Sequence, residues 1–158
     1  MSTPPWQFWL TLGLALMLSI IPLPYAYAAW NPDWVALVVI LWTLYYPRRV
    51  GVGSAWIGGL LLDVMQGSLL GSQAMAMTLV GYLTVKFYLR MRVFPLGQQA
   101  MAVAMFLTLY HFVLFWIEGV IGGPSPGLDR WYPIALGVVA WVPLQAAFRI
   151  LWPRILKT

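Results

Sequence analysis

Proline, glycine and charge clusters cut this chain into six apolar runs, at about 6–23, 34–46, 51–65, 69–87, 98–121 and 131–152. Runs of this length and density leave few places to fold. The chain is 62% hydrophobic and 8% charged, whereas a soluble domain is about one quarter charged. No soluble core of 158 residues could bury 10 Trp, 8 Tyr and 7 Phe beside the aliphatic residues, so their solvent is lipid or other membrane helices. An all-α, polytopic membrane protein of six transmembrane helices follows, with residues 1–158 as a single integral-membrane domain.

The breaks carry recognisable signals. Pro22 and Pro24 end the first run, "NPDW" opens the second with Asn31 as a cap and Pro32 at the first helical position, and "YYPRR" closes it. The second and third runs reach only roughly 20 and 22 Å at about 1.5 Å per residue, short of a hydrocarbon core of about 30 Å. A single helix from Gly51 to Val85 would be roughly 52 Å long, too long for one ordinary span, so a hairpin with its turn at Gln66 to Ser68 is the better reading. Ala26 and Ala28 imitate a signal-peptidase site, but no basic n-region precedes the first run.

Charge sets the orientation. With both ends inside, the cytoplasmic segments hold Arg48, Arg49, Lys86, Arg90, Arg92, Arg149, Arg154 and Lys157, and the outer loops hold only Arg130. Asp33, Asp63, Glu118 and Asp129, all the acidic residues of the chain, fall at or near the outer ends of the runs. Basic residues in small groups at run ends speak for membrane orientation and against nucleic acid. The aromatic residues near run ends, Trp30, Trp34, Tyr45, Tyr46, Trp131, Tyr132 and Trp152, read as interfacial belts.

Small residues recur in steps of four at Gly51, Ala55 and Gly59, followed by Asp63, Gly67 and Gly71. On one helix this makes a stripe where another backbone approaches closely, within the bundle or on a separate membrane protein. A carboxylate on that stripe must face protein, water or a helix end, since its insertion at the bilayer centre costs about 2.5 to 3.5 kcal/mol. Asp63 therefore caps the Gln66 to Leu70 turn or contacts a partner. His111, read as deep in the bilayer, and Glu118 lie seven residues apart on one helix face; His111 reads as a satisfied interior histidine or as one facing a partner, since zinc needs three or four ligands and the chain has no second His and no Cys. Ser19, Ser54, Ser68 and Ser72 have no GxSxG setting and no His on their own helix. Neither a metal, a cofactor nor a catalytic residue is expected. Arg48 and Arg49 serve as topological anchors or meet a cytoplasmic partner.

Three motifs carry a resemblance. Gly59, Asp63, Gly67 and Gly71 form one; Pro47, Arg49, Val50, Gly51 and Gly53 form a "PxRVGxG" turn; Phe115, Trp116 and Glu118 form "FWxE". In these, and in length and number of runs, the chain resembles the rod shape-determining MreD family of bacterial inner-membrane proteins; His111 maps to no role there. The resemblance implies a non-enzymatic subunit of the cell-elongation machinery. Its partners would be MreC, by lateral membrane contact, and through it MreB, RodA and a class B penicillin-binding transpeptidase. It also implies a fold similar to the substrate-binding subunits of energy-coupling-factor transporters. From that similarity comes an alternative function, a small-molecule-binding membrane subunit of a transporter, with Asp63, Glu118 and Gln73 as candidate pocket lining.

Overall fold

The computed structural model describes residues 6–21, 24, 30–123 and 127–151. Pro22, the Ala26 and Ala28 site, Arg154, Lys157 and both termini lie outside the described residues. Six helices follow one another: α1 (Trp6–Ile20), α2 (Trp34–Tyr45), α3 (Val52–Gln66), α4 (Ser72–Val93), α5 (Leu96–Ile121) and α6 (Tyr132–Leu151), the last preceded by a 3-10 turn at Leu128–Trp131. No strand occurs among the described residues.

The centre is α2. Its sequence, WVALVVILWTLY, has Thr43 as its one polar interruption apart from the ring heteroatoms, and eleven of its twelve residues are buried. A helix that is apolar all round has no solvent face and belongs inside. Every other helix touches it. The surrounding helices invert the soluble pattern, because large apolar side chains point outwards: Met17 on α1, Val64 on α3, Met75 on α4, Met101 on α5 and Val139 on α6 are each more than 60% exposed. Such a surface suits lipid rather than water. Two helical segments, Leu96–Ile121 and Leu128–Leu151, are long and apolar enough to cross a membrane by length and composition alone.

Three boundaries differ from expectation. First, α4 starts at Ser72, not Leu69, because residues 67–71 are used by the turn, and it runs on to Val93. Arg90 and Arg92, beyond the expected end of the fourth run at 87, are thus helical. Arg and Lys are good helix formers, and Arg90 and Arg92 in the last turn complement the helix dipole. Second, the connection to α5 shrinks to Phe94 and Pro95, with Phe94 extended as the residue before a proline prefers. Third, Asn31 does not cap α2 and Pro32 is not its first residue. The helix begins at Trp34 after Asp33. Asn31 instead accepts from the Trp34 indole at 3.0 Å and donates to the Leu18 carbonyl at 3.4 Å, tying the start of α2 to the end of α1.

The stripe on α3 is shorter than the four-residue spacing implied. At Gly59 a Cβ would stand 2.4 Å from the Ala74 Cα, and at Gly81 one would stand 2.6 Å from the Ala55 Cβ, so α3 and α4 pack backbone to backbone along this line. Gly67 and Gly71 lie beyond the helix. They have φ of 63° and 99°, and a Cβ on either would meet nothing within 4 Å. Their role is conformational: they permit the left-handed residues that stop α3 and start α4.

Candidate functional site

Charge gathers at the end of the bundle where α3 turns into α4. Asp63, three residues before the end of α3, is 1% exposed. Its side chain reaches past the Gln66 to Leu70 turn to the N-terminus of α4, where helix geometry leaves N–H groups without partners. Oδ1 accepts from the Ser68 hydroxyl at 2.8 Å, the Ser72 hydroxyl at 3.0 Å and the Gln73 amide at 3.0 Å. Oδ2 accepts from the amides of Gly71 at 2.9 Å and Ala74 at 3.2 Å. Five donors saturate the roughly four lone-pair sites of a carboxylate, and the positive end of α4 favours the charge. The Asp63 carbonyl also accepts from the Ser68 amide at 3.2 Å, closing the end of α3.

A second set of contacts ties this hairpin to α5. The Tyr110 hydroxyl donates to Gln73 Oε1 at 2.6 Å, and Gln73 Nε2 donates in turn to Gln66 Oε1. Nearby, His111 Nε2 lies 2.7 Å from Asp33 Oδ2. The other ring nitrogen, Nδ1, is buried and makes no hydrogen bond. His111 is therefore joined to the start of α2. Glu118 forms a two-pronged pair with Arg130 from the 3-10 turn.

These groups surround a cleft of about 440 Å³, whose lining includes Asp33, Gln73, Tyr110, His111, Glu118 and Arg130. A smaller hollow of about 220 Å³ shares Asp33, Gln66, Gln73 and Tyr110 and adds Ser19 and Asn31. Gln73 and Glu118 line the cleft, but Asp63 lines neither cavity, because its oxygens are turned to the helix end. His111 and Glu118 border the same cleft with different partners. Among the described residues no group of three or more His, Asp and Glu could hold a metal ion. Chemically, the cleft offers hydrogen-bonding amides, hydroxyls, a phenol and ion pairs.

Arg48 and Arg49 sit at the opposite end, exposed on the α2–α3 connection, far from the other sequence-selected residues. Sequence reasoning missed a polar cluster on that side of the core. Gln99 donates to the Met91 carbonyl at 2.7 Å, and Gln145 donates to Gln99 Oε1 and to the Tyr45 hydroxyl, the latter at 3.2 Å. The available signal was a glutamine inside each of the two helices long and apolar enough to cross a membrane.

A family model described as rod shape-determining protein MreD matches residues 2–152. The rod shape-determining protein MreD of Haemophilus influenzae is 27% identical over 144 residues, which cover 90% of this chain and 81% of the relative. No solved structure matches the chain. Because the family model spans nearly the whole length, this chain belongs to the MreD family of rod shape-determining proteins.

Proposed function

We propose that this protein is a non-enzymatic, multi-pass subunit of the rod complex in the bacterial inner membrane. In this reading residues 1–158 form one integral-membrane domain of six transmembrane helices with both termini cytoplasmic. It binds MreC laterally and thereby serves MreB, RodA and a class B penicillin-binding transpeptidase, supporting cell shape and lateral peptidoglycan synthesis. Its architecture is then of the type found in the substrate-binding subunits of energy-coupling-factor transporters.

The family match over residues 2–152 carries this proposal. The mechanism is assembly. A hairpin locked by Asp63 and by the close approach at Gly59 holds α3 and α4 at fixed spacing, while Trp56, Leu61 and Val64 on α3 and Tyr82 and Leu89 on α4 remain exposed. A rigid apolar surface loses little conformational entropy when a partner helix packs on it.

Co-expression with MreC and purification in mild detergent tests the partner. A stoichiometric complex is expected; failure of MreC to co-purify, together with a tightly retained metabolite, would replace this reading by the small-molecule-binding alternative. Orientation is tested with single cysteines at Leu128 and Gly97, both exposed and at opposite ends of α5. In intact spheroplasts an impermeant thiol reagent should label only the Leu128 position, and labelling at Gly97 would overturn the topology.

A further inference from the structure

The basic end carries a concave site that the proposed function does not use. Between α2 and α3 the amides of Arg49 and Val50 both donate to the Tyr46 carbonyl, at 3.0 and 2.9 Å. Val50 is 4% exposed and anchors this turn in the core. The turn brings Arg48 and Arg49 to the same hollow as Arg92 from the last turn of α4, and the hollow has a volume of about 310 Å³. Tyr46 and Tyr88 also line it. Buried Tyr45 holds Arg92 in place, with the guanidinium carbon 5.9 Å from the ring centroid.

Arg48 and Arg92 bring positive charge to one concavity where no acidic side chain of the chain can offset it. All four acidic residues, Asp33, Asp63, Glu118 and Asp129, lie at the other end of the bundle. Asp63, on the adjoining helix α3, is eleven residues beyond Val52. That separation is roughly 17 Å along the helix, too far for a direct ion pair.

Guanidinium forks select for phosphate, because two parallel N–H donors match two of its oxygens. The setting indicates how that phosphate arrives. Tyr46 and Tyr88, both partly exposed, are aromatic residues of the kind found at a membrane interface. Leu89 and Val93, one helical turn or less from Arg92, are 65% and 84% exposed and give an acyl chain an apolar wall. Basic pockets between transmembrane helices bind anionic headgroups in this way. We propose that the hollow between the C-terminal ends of α2 and α4 binds a phosphate group, presented by the headgroup of an anionic phospholipid. This requires the basic end to lie at a membrane interface, but neither MreC binding nor a particular orientation.

The test uses the full chain in mild detergent, by native mass spectrometry and thermal melting, with added phosphatidylglycerol, phosphatidylcholine or inorganic phosphate at matched ionic strength. Phosphatidylglycerol should be retained as a one-to-one adduct about tenfold more than phosphatidylcholine. The double variant Arg48→Gln, Arg92→Gln should lose that preference. The double variant Arg48→Lys, Arg92→Lys keeps the charge without the fork and should lose part of it. Arg149→Gln, at the same end but outside the hollow, should keep it. Stabilisation of the wild type by inorganic phosphate alone identifies free phosphate as sufficient, whereas stabilisation by phosphatidylglycerol alone identifies the lipid as the source. Equal retention of the two lipids by the wild type overturns the proposal without recourse to any variant. So does an equal loss in Arg149→Gln, or binding of polyglutamate with neither phosphate source bound, which would mark a surface for an acidic protein.

Discussion

At one end of the bundle Asp63 takes five hydrogen bonds and Glu118 is grasped by Arg130, while at the other end Arg48, Lys86, Arg90, Arg92 and Arg149 stand where no acidic side chain is found. Asp63 and Glu118 are thus satisfied from within the chain, whereas Arg48 and Arg92 lie far from every acidic side chain. The difference follows from burial. Asp63 is 1% exposed, and a buried charge without partners would be lost to protonation or unfolding. Arg48, Arg90 and Arg92 are exposed at helix ends, where long side chains reach water and headgroups. Neutralising substitutions should therefore damage the fold at the acidic end and leave it intact at the basic end.

The largest effect is expected at Asp63. Replacement by Leu leaves three backbone amides and two hydroxyls without their acceptor, and each buried unsatisfied group costs about 1–3 kcal/mol. A loss of about 3 kcal/mol or more is expected, read as a large fall in the melting temperature of the isolated protein in detergent. Asp63→Asn keeps one oxygen acceptor and should fall between wild type and Leu. An unchanged melting temperature in Asp63→Leu, with MreC binding alone weakened, would make the residue a partner contact instead.

The next two effects separate glycines that look equivalent in the sequence. Gly59→Ala places a methyl 2.4 Å from the Ala74 Cα, which only a backbone shift can relieve, and overpacking of this kind costs about 1–3 kcal/mol. Gly67→Ala meets no neighbour but must hold a φ of 63°, at a cost of about 1–2 kcal/mol. A larger residue discriminates further. Gly59→Leu should be worse than Gly59→Ala, whereas Gly67→Leu should resemble Gly67→Ala, since strain in the backbone does not grow with side-chain bulk. Equal size dependence at both positions would show that Gly67 too is packed against a neighbour.

The same two glycines show what a sequence pattern can and cannot reveal. Steps of four from Gly51 to Gly71 fit one continuous helical stripe, yet they also arise when a helix stripe is followed by two turn glycines, and periodicity does not distinguish the cases. The hairpin itself was legible, because a helix through the whole segment would be too long for one span. That Asp63 serves a helix end was also legible, since a carboxylate among leucines needs donors close in the chain. Which helix end it serves depended on where the turn closes. The end of α4 was misplaced for a related reason: Lys86, Arg90 and Arg92 mark the edge of the apolar run, but they do not stop a helix. The pairing of His111 with Asp33 joins residues 78 positions apart. No local pattern encodes it; it follows from α2 occupying the centre.

The smallest effect is expected where the acidic end meets solvent. Glu118 and Arg130 form a two-pronged pair, but their side chains are 44% and 15% exposed, so water competes for at least one partner. Surface pairs contribute about 0–1 kcal/mol. The two-pronged geometry and the half-buried Arg130 place this pair towards the upper end of that range. Glu118→Gln should thus lower stability by about 1 kcal/mol or less, and raising the salt concentration should narrow the gap between variant and wild type. Asp63→Leu should show no such salt dependence, because its lost bonds are buried. If Glu118→Gln instead destabilised the protein as much as Asp63→Leu did, and at all salt concentrations, the graded burial inferred for the acidic end would be wrong: its ion pairs would then act as one buried network, and Asp63 would have no special place in it.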